Sequence, residues 1–211
     1  VIITRFKEEE TIESIIETMN RVVLIGCGIC ALDCGTSGPE VLEKYKNILE
    51  GKGRRVVGTL MIDGICNEML VKRELKKIKE LDFDSILVFS CGSGVQVLSL
   101  LTGKPINTFL DTVYLARKQR AGHFREACVM CGDCVLNDTA NVCPRTQCPK
   151  GITNGPCGGS VDGKCEVDPE KDCAWVLIYT LLAEKHKEKN IEKIFEPQKY
   201  INDLRPRKDD V

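Results

Sequence analysis

Apolar residues along the first half of the chain alternate between helical and strand spacing. Ile12, Ile15, Ile16 and Met19 recur at helical intervals over residues 9–20, and Asn20 closes that segment. The continuous run Arg21-Val22-Val23-Leu24-Ile25-Gly26 predicts a strand buried on both faces, as in a parallel sheet. A helix is predicted over 39–51, with Pro39 in its first turn and Gly51 just past its end. Further strands are expected at 54–62 and 85–90, with a charged helix over about 66–81 between them. A short apolar helix at about 94–101 and a fourth strand at 105–110 follow, and residues 112–126 have helical composition. This alternation predicts a small, doubly wound parallel α/β sheet, Rossmann- or flavodoxin-like. The pattern then breaks. Residues 128–173 are rich in Gly, Pro and Asn and have little periodicity, until an apolar run from Cys173 to Lys189 predicts a C-terminal helix. Three regions are therefore expected: an α/β domain at 1–120, a cysteine-rich region at 121–174, and a helix with an extended tail for partner docking at 175–211.

Composition narrows the class. Thirty basic and 31 acidic residues give a net charge of −1, so there is no electrostatic case for nucleic acid or an anionic membrane. No apolar run approaches the ~18–20 residues of a membrane helix. The first residues show no signal-peptide core, so a cytoplasmic location is expected, and the missing initiator Met suggests numbering from just inside the native chain. Aromatic residues are 5%, which predicts an aliphatic core. The chain has 13 cysteines, an odd number, and only two histidines, His123 and His186. In a reducing compartment that count favours thiolate-ligated metal, iron–sulfur or zinc, over disulfides.

Five cysteines belong to the α/β part: Cys27, Cys30, Cys34, Cys66 and Cys91. Cys27, Cys66 and Cys91 each follow a predicted strand, and ligands of open parallel sheets bind at the carboxyl ends of strands. The spacing C-x2-C-x3-C at 27–34 can wrap a single cluster, with Cys66 or Cys91 as the fourth thiolate. Two other readings compete. Gly26-Cys27-Gly28-Ile29-Cys30-Ala31 also matches a dinucleotide fingerprint, with Asp63 placed as a ribose-binding acid. The thiols could instead be buried structural residues, Cys66 above all.

Eight cysteines lie in 128–173: Cys128, Cys131, Cys134, Cys143, Cys148, Cys157, Cys165 and Cys173. They suffice for two four-thiolate sites. Cys128, Cys131 and Cys134 have the opening spacing of a ferredoxin run, but Cys143-Pro144 closes it too late for an ordinary ferredoxin domain. One partition gives the first three plus a later cysteine to one site, and the remainder to a second. Iron–sulfur clusters, a cluster plus zinc, and zinc alone stay open, with Cys143, Cys148, Cys157 and Cys165 as metal ligands of either kind. A closed four-thiolate zinc site would be structural. Neither a Ser/His/Asp set nor a carboxylate pair stands out, which favours an electron carrier over a self-sufficient enzyme.

G-C-G-I-C-A-L-D-C-G-T-S-G (26–38), S-C-G-S-G-V-Q (90–96) and C-P-K-G-I-T-N-G-P-C-G-G-S-V-D-G-K-C-E-V (148–167) resemble the MetV-type subunit family. This is the small iron–sulfur partner of methylenetetrahydrofolate reductase, also called the reductase's C-terminal zinc-finger-like domain. Thr36-Ser37-Gly38 stands where the family often has T-G-G. The resemblance implies two to three [4Fe-4S] clusters, or a zinc in one site, on this chain. It also implies a MetF-type TIM-barrel partner that carries FMN and reduces 5,10-methylenetetrahydrofolate to 5-methyltetrahydrofolate. This chain would then pass electrons to that FMN from ferredoxin or a larger electron-transfer complex. A zinc-stabilised docking subunit without a redox role is the alternative.

Overall fold

The structure is a computed structural model that describes residues 1–197 and 205–207. The chain divides into two compact units, Val1–Arg125 and Glu126–Val211. In chain order the elements of the first unit are β1 (Ile2–Phe6), α1 (Glu9–Glu17), β2 (Arg21–Cys27), α2 (Cys30–Asp33), α3 (Pro39–Gly51), β3 (Arg55–Ile62) and α4 (Glu68–Glu74). They continue with β4 (Ser85–Phe89), α5 (Gly92–Thr102), β5 (Ile106–Asn107), β6 (Leu110–Arg120) and β7 (His123–Cys128), the last running into the second unit.

Strands β3-β2-β4-β5 form a four-stranded parallel sheet in that order. The chain winds outward from β2 to β3, then returns across to β4 and β5, the winding of a Rossmann-like core. The strand order therefore reverses between β2 and β4. Val22, Val23, Leu24, Ile25, Ile86, Leu87, Val88 and Phe89 are fully buried, which is what their unbroken apolar runs predict. The core is less aliphatic than the composition suggests. Tyr45 of α3 sits at the centre of an aromatic group, with Phe6, Phe89 and Phe109 ring centroids at 5.4, 5.2 and 5.3 Å. Burial, and secondarily Glu9, push the Tyr45 hydroxyl's pKa up.

Three expectations are corrected. Residues 112–126 are not helical: they form most of a hairpin, β6–β7, in a second sheet of order β1-β6-β7. The turn is Ala121-Gly122, and Gly122 takes φ 72°, a backbone region that Gly enters at little cost. The start of the chain adds an unforeseen strand, β1, antiparallel to β6 with Thr4 opposite Thr112. The expected strand at 105–110 shrinks to Ile106–Asn107, beside Ile86 and Leu87.

The second unit has little regular structure: α6 (Pro144–Gln147), α7 (Ala174–Glu184) and a 3-10 turn at Glu188–Glu192. Helix α7 buries Trp175, Ile178 and Leu182 against Ala140, Val142, Cys173 and Ile191. It ends before Lys185, Lys187 and Lys189, so those cations lie beyond its last turn rather than in it. Most of the expected extended tail, residues 198–204 and 208–211, lies outside the described residues. Among the described residues, no helix is long and apolar enough to cross a membrane.

Candidate functional site: two groups of thiols

The first group sits at the carboxyl edge of the parallel sheet. Cys27 is the last residue of β2, pairs with Ile62 across the ladder, and is buried. Cys30 opens the short α2, and Cys91 precedes α5 with its carbonyl accepting from the Gly94 and Val95 N–H groups. Cys66 lies in the turn after β3, just before Asn67, whose side chain caps α4 by accepting from the Met69 and Leu70 N–H groups at 3.0 and 3.2 Å. Cys66 is exposed, which corrects the expectation of a buried structural thiol; partial shielding of its sulfur still pushes the thiol's pKa up, and charge on Cys91, Cys27 and Cys30 pushes it further. Four thiols from three strand ends thus share one neighbourhood, where strand-end placement puts them. At neutral pH the mutual influence favours the protonated Cys66 thiol over the nucleophilic thiolate.

Cys34 does not join them. Its thiol donates to the Ile2 carbonyl at 3.6 Å, which ties α2 to β1. The C-x2-C-x3-C spacing therefore does not translate into three converging sulfurs. The dinucleotide reading also meets an obstacle. A Cβ on Gly28 would lie 1.8 Å from Asp63 Oδ1, so the Asp63 side chain occupies the space above the turn that a pyrophosphate would approach. Helix α2, which follows that turn, spans only four residues.

The second group lines a pocket in the cysteine-rich unit. Cys148, Cys157, Cys165 and Cys173 face it, together with Lys150 and Trp175. Backbone bonds fix the loops that carry these residues. Cys165 N–H donates to the Lys171 carbonyl at 2.9 Å, and Cys173 N–H donates to the Gly163 carbonyl at 2.7 Å. Trp175 Nε1–H donates to the Ile152 carbonyl at 2.9 Å. Asn154 exchanges two bonds with the backbone of Phe195, at 2.8 and 2.7 Å, and so anchors the N-G-P-C-G-G loop. The Cys157 thiol donates to Glu166 Oε1 at 3.2 Å, and Lys150 pairs with the same carboxylate. Lys150, then Cys157, hold the Glu166 carboxyl below its usual range, and Glu166 holds Lys150 above its own.

The opening cysteines form a separate turn. The Met130 N–H donates to Cys128 Sγ at 3.2 Å, with Met130 at φ 53°. The Cys131 thiol donates to the Asp133 carbonyl at 3.5 Å, and Arg145 pairs with Asp133 at 3.1 Å. Burial works against the Arg145 charge, yet Cys131 and Asp133 beside it hold its pKa up. Cys134 is exposed, and Cys143 stands just before α6 without a side-chain capping bond. His123 and His186 are both exposed.

The expectation of iron–sulfur clusters or zinc is overturned. All 13 cysteines lie within the described residues and all are free thiols. Among the described residues, no group of three or more His, Cys, Asp or Glu is arranged to hold a metal ion. Lining one pocket, or lying near enough to raise the pKa of Cys66, is a weaker condition than placing sulfurs ~2.3 Å from a common ion. Three of the thiols instead donate to protein partners: Cys34 to Ile2, Cys131 to Asp133, Cys157 to Glu166.

No curated protein and no solved structure matches the chain. Residues 108–201 match, distantly, the family model described as methylene-tetrahydrofolate reductase C terminal, which covers the β6–β7 hairpin and the second unit as far as residue 201 and leaves the parallel sheet outside the match.

Proposed function

We propose that this chain is a docking subunit of a methylenetetrahydrofolate reductase and works beside a separate flavin-bearing catalytic subunit of the MetF type. The family match over 108–201 carries this reading. A feature of the matched region supports it. Helix α7 buries one face on the small core and exposes Val176, Leu177 and Tyr179 on another, an apolar surface suited to a protein partner. This docking role requires no zinc. Electron delivery to the partner's flavin is the task the resemblance implies, and the same complex allows it to be measured.

The experiment is co-expression with the flavin subunit, followed by co-purification. Wild-type chain is expected to elute with the flavin subunit, and Leu177→Asp combined with Tyr179→Asp to weaken the association at least tenfold with unchanged circular dichroism. Association that survives the double variant would remove α7 as the docking face, and no association of the wild-type chain would remove the whole reading. In the purified complex, flavin reduction by a low-potential donor is compared with and without this chain. Equal rates would assign it docking alone.

A further inference from the structure

The β6–β7 hairpin concentrates positive charge. From Arg117 to Arg125 it carries Arg117, Lys118, Arg120, His123 and Arg125 and no acidic residue, in a chain whose net charge is −1. Three arginines elsewhere are matched: Arg21 with Asp82 and Asp84, Arg73 with Glu74, Arg145 with Asp133. In the hairpin, Lys118 pairs with Asp33, whereas among the described residues Arg117, Arg120 and Arg125 take no carboxylate. All three are exposed. Strand alternation puts Lys118 and Arg120 on one face of β6, and His123 and Arg125 on one face of β7. Like charges that face one another across neighbouring strands are destabilising, so an unmatched cationic hairpin stands against local stability.

We propose that this hairpin is the docking surface for an acidic, extended segment of a partner polypeptide. The arginine fork matches a carboxylate in two-pronged geometry, and three of them lie within nine residues. Strand β7 is at the margin of its sheet. Its carbonyls at Glu126 and Ala127 already accept from Gln147 and Thr146, which leaves the tip, 123–125, as the open length beside the arginines. An extended peptide can lie along such a margin while its carboxylates meet the guanidinium groups. A nucleic acid is the rival polyanion. Single strands are held largely by aromatic stacking, and the one aromatic of the tip, Phe124, is half-buried.

The test is fluorescence anisotropy of a labelled hexaglutamate peptide titrated with the full chain, alongside a labelled oligothymidylate at the same ionic strength. Saturable peptide binding that falls with added salt is expected. Arg120→Gln with Arg125→Gln should weaken it at least tenfold, while Arg120→Lys with Arg125→Lys should keep the fold and an intermediate affinity. Circular dichroism melts verify that each variant is folded, and the lysine pair is decisive if the glutamine pair is not. No saturable peptide binding, binding indifferent to both pairs of substitutions, or tighter binding of the oligothymidylate would overturn the proposal.

Discussion

The two units solve the problem of holding cysteines in different ways. In Val1–Arg125 the thiols sit on a scaffold that needs nothing from them: the buried strands β2 and β4, flanked by the half-buried β3, carry an apolar core, and Cys27, Cys66 and Cys91 follow from where those strands stop. Among the described residues of Glu126–Val211 the buried apolar cluster is Trp175, Ile178 and Leu182 of one helix, and eight cysteines lie in or beside loops. There, individual polar bonds carry a larger share of the order: Trp175 to Ile152, Asn154 to Phe195, Thr139 to the carbonyls of Val135 and Val142. A deep core spreads the cost of any one loss. A shallow core concentrates it, so single side chains become decisive.

The largest effect is expected from Trp175→Ala. It removes the biggest member of the buried Trp175–Ile178–Leu182 cluster and deletes the indole bond to the Ile152 carbonyl. Truncation of this kind costs about 3–5 kcal/mol, enough to abolish protection of the α7 amides in hydrogen exchange. Retained protection would show that the loops, rather than the helix, hold the unit. Next comes Phe89→Ala in the parallel sheet, also about 3–5 kcal/mol on the same scale. Its loss is shared among more neighbours, so β2 and β4 amides should keep measurable protection; complete loss there would erase the contrast between the units. Asn154→Ala deletes two bonds to Phe195 and should cost about 1–2 kcal/mol, read as faster exchange in 152–158.

The smallest effect concerns pH. Burial pushes the Asp84 carboxyl up, but the Arg21 N–H, the Ser85 hydroxyl and the Arg21 guanidinium outweigh it and hold its pKa below the usual aspartate range. A depressed carboxyl contributes stability that is present above its unfolded pKa and is lost as pH falls through the folded one. Asp84→Asn should therefore lower stability by less than about 1 kcal/mol at neutral pH, with the difference vanishing in acid. A difference that grows on acidification would reverse the sign of this assignment.

The parallel sheet was legible because β2 and β4 are unbroken apolar runs and α3 has Pro at its start. Grouping of Cys27, Cys66 and Cys91 was legible for the same reason, since strand ends share an edge. The β6–β7 hairpin was not. Arg117, Lys118, Gln119 and Arg120 are good helix formers, and with all four exposed there is no apolar alternation to override that preference. Strand β1 was missed because five residues at a chain end carry no periodicity of their own; their partner lies more than a hundred positions away. The metal expectation failed for a related reason. Spacing counts sulfurs but does not aim them, and Cys34 turns to a carbonyl of β1, a strand that spacing alone does not reveal.

Trp175 has one more consequence. It is the only tryptophan in the chain. Buried at the foot of α7 and facing a pocket lined by four thiols, it makes the cysteine-rich unit optically distinct from the rest. Its emission should be blue-shifted and dimmed by the neighbouring sulfurs, and should brighten and shift to the red when that unit alone opens. The protein thus carries its own lamp in its least regular half, and alkylation of the pocket can be followed by light without any added label.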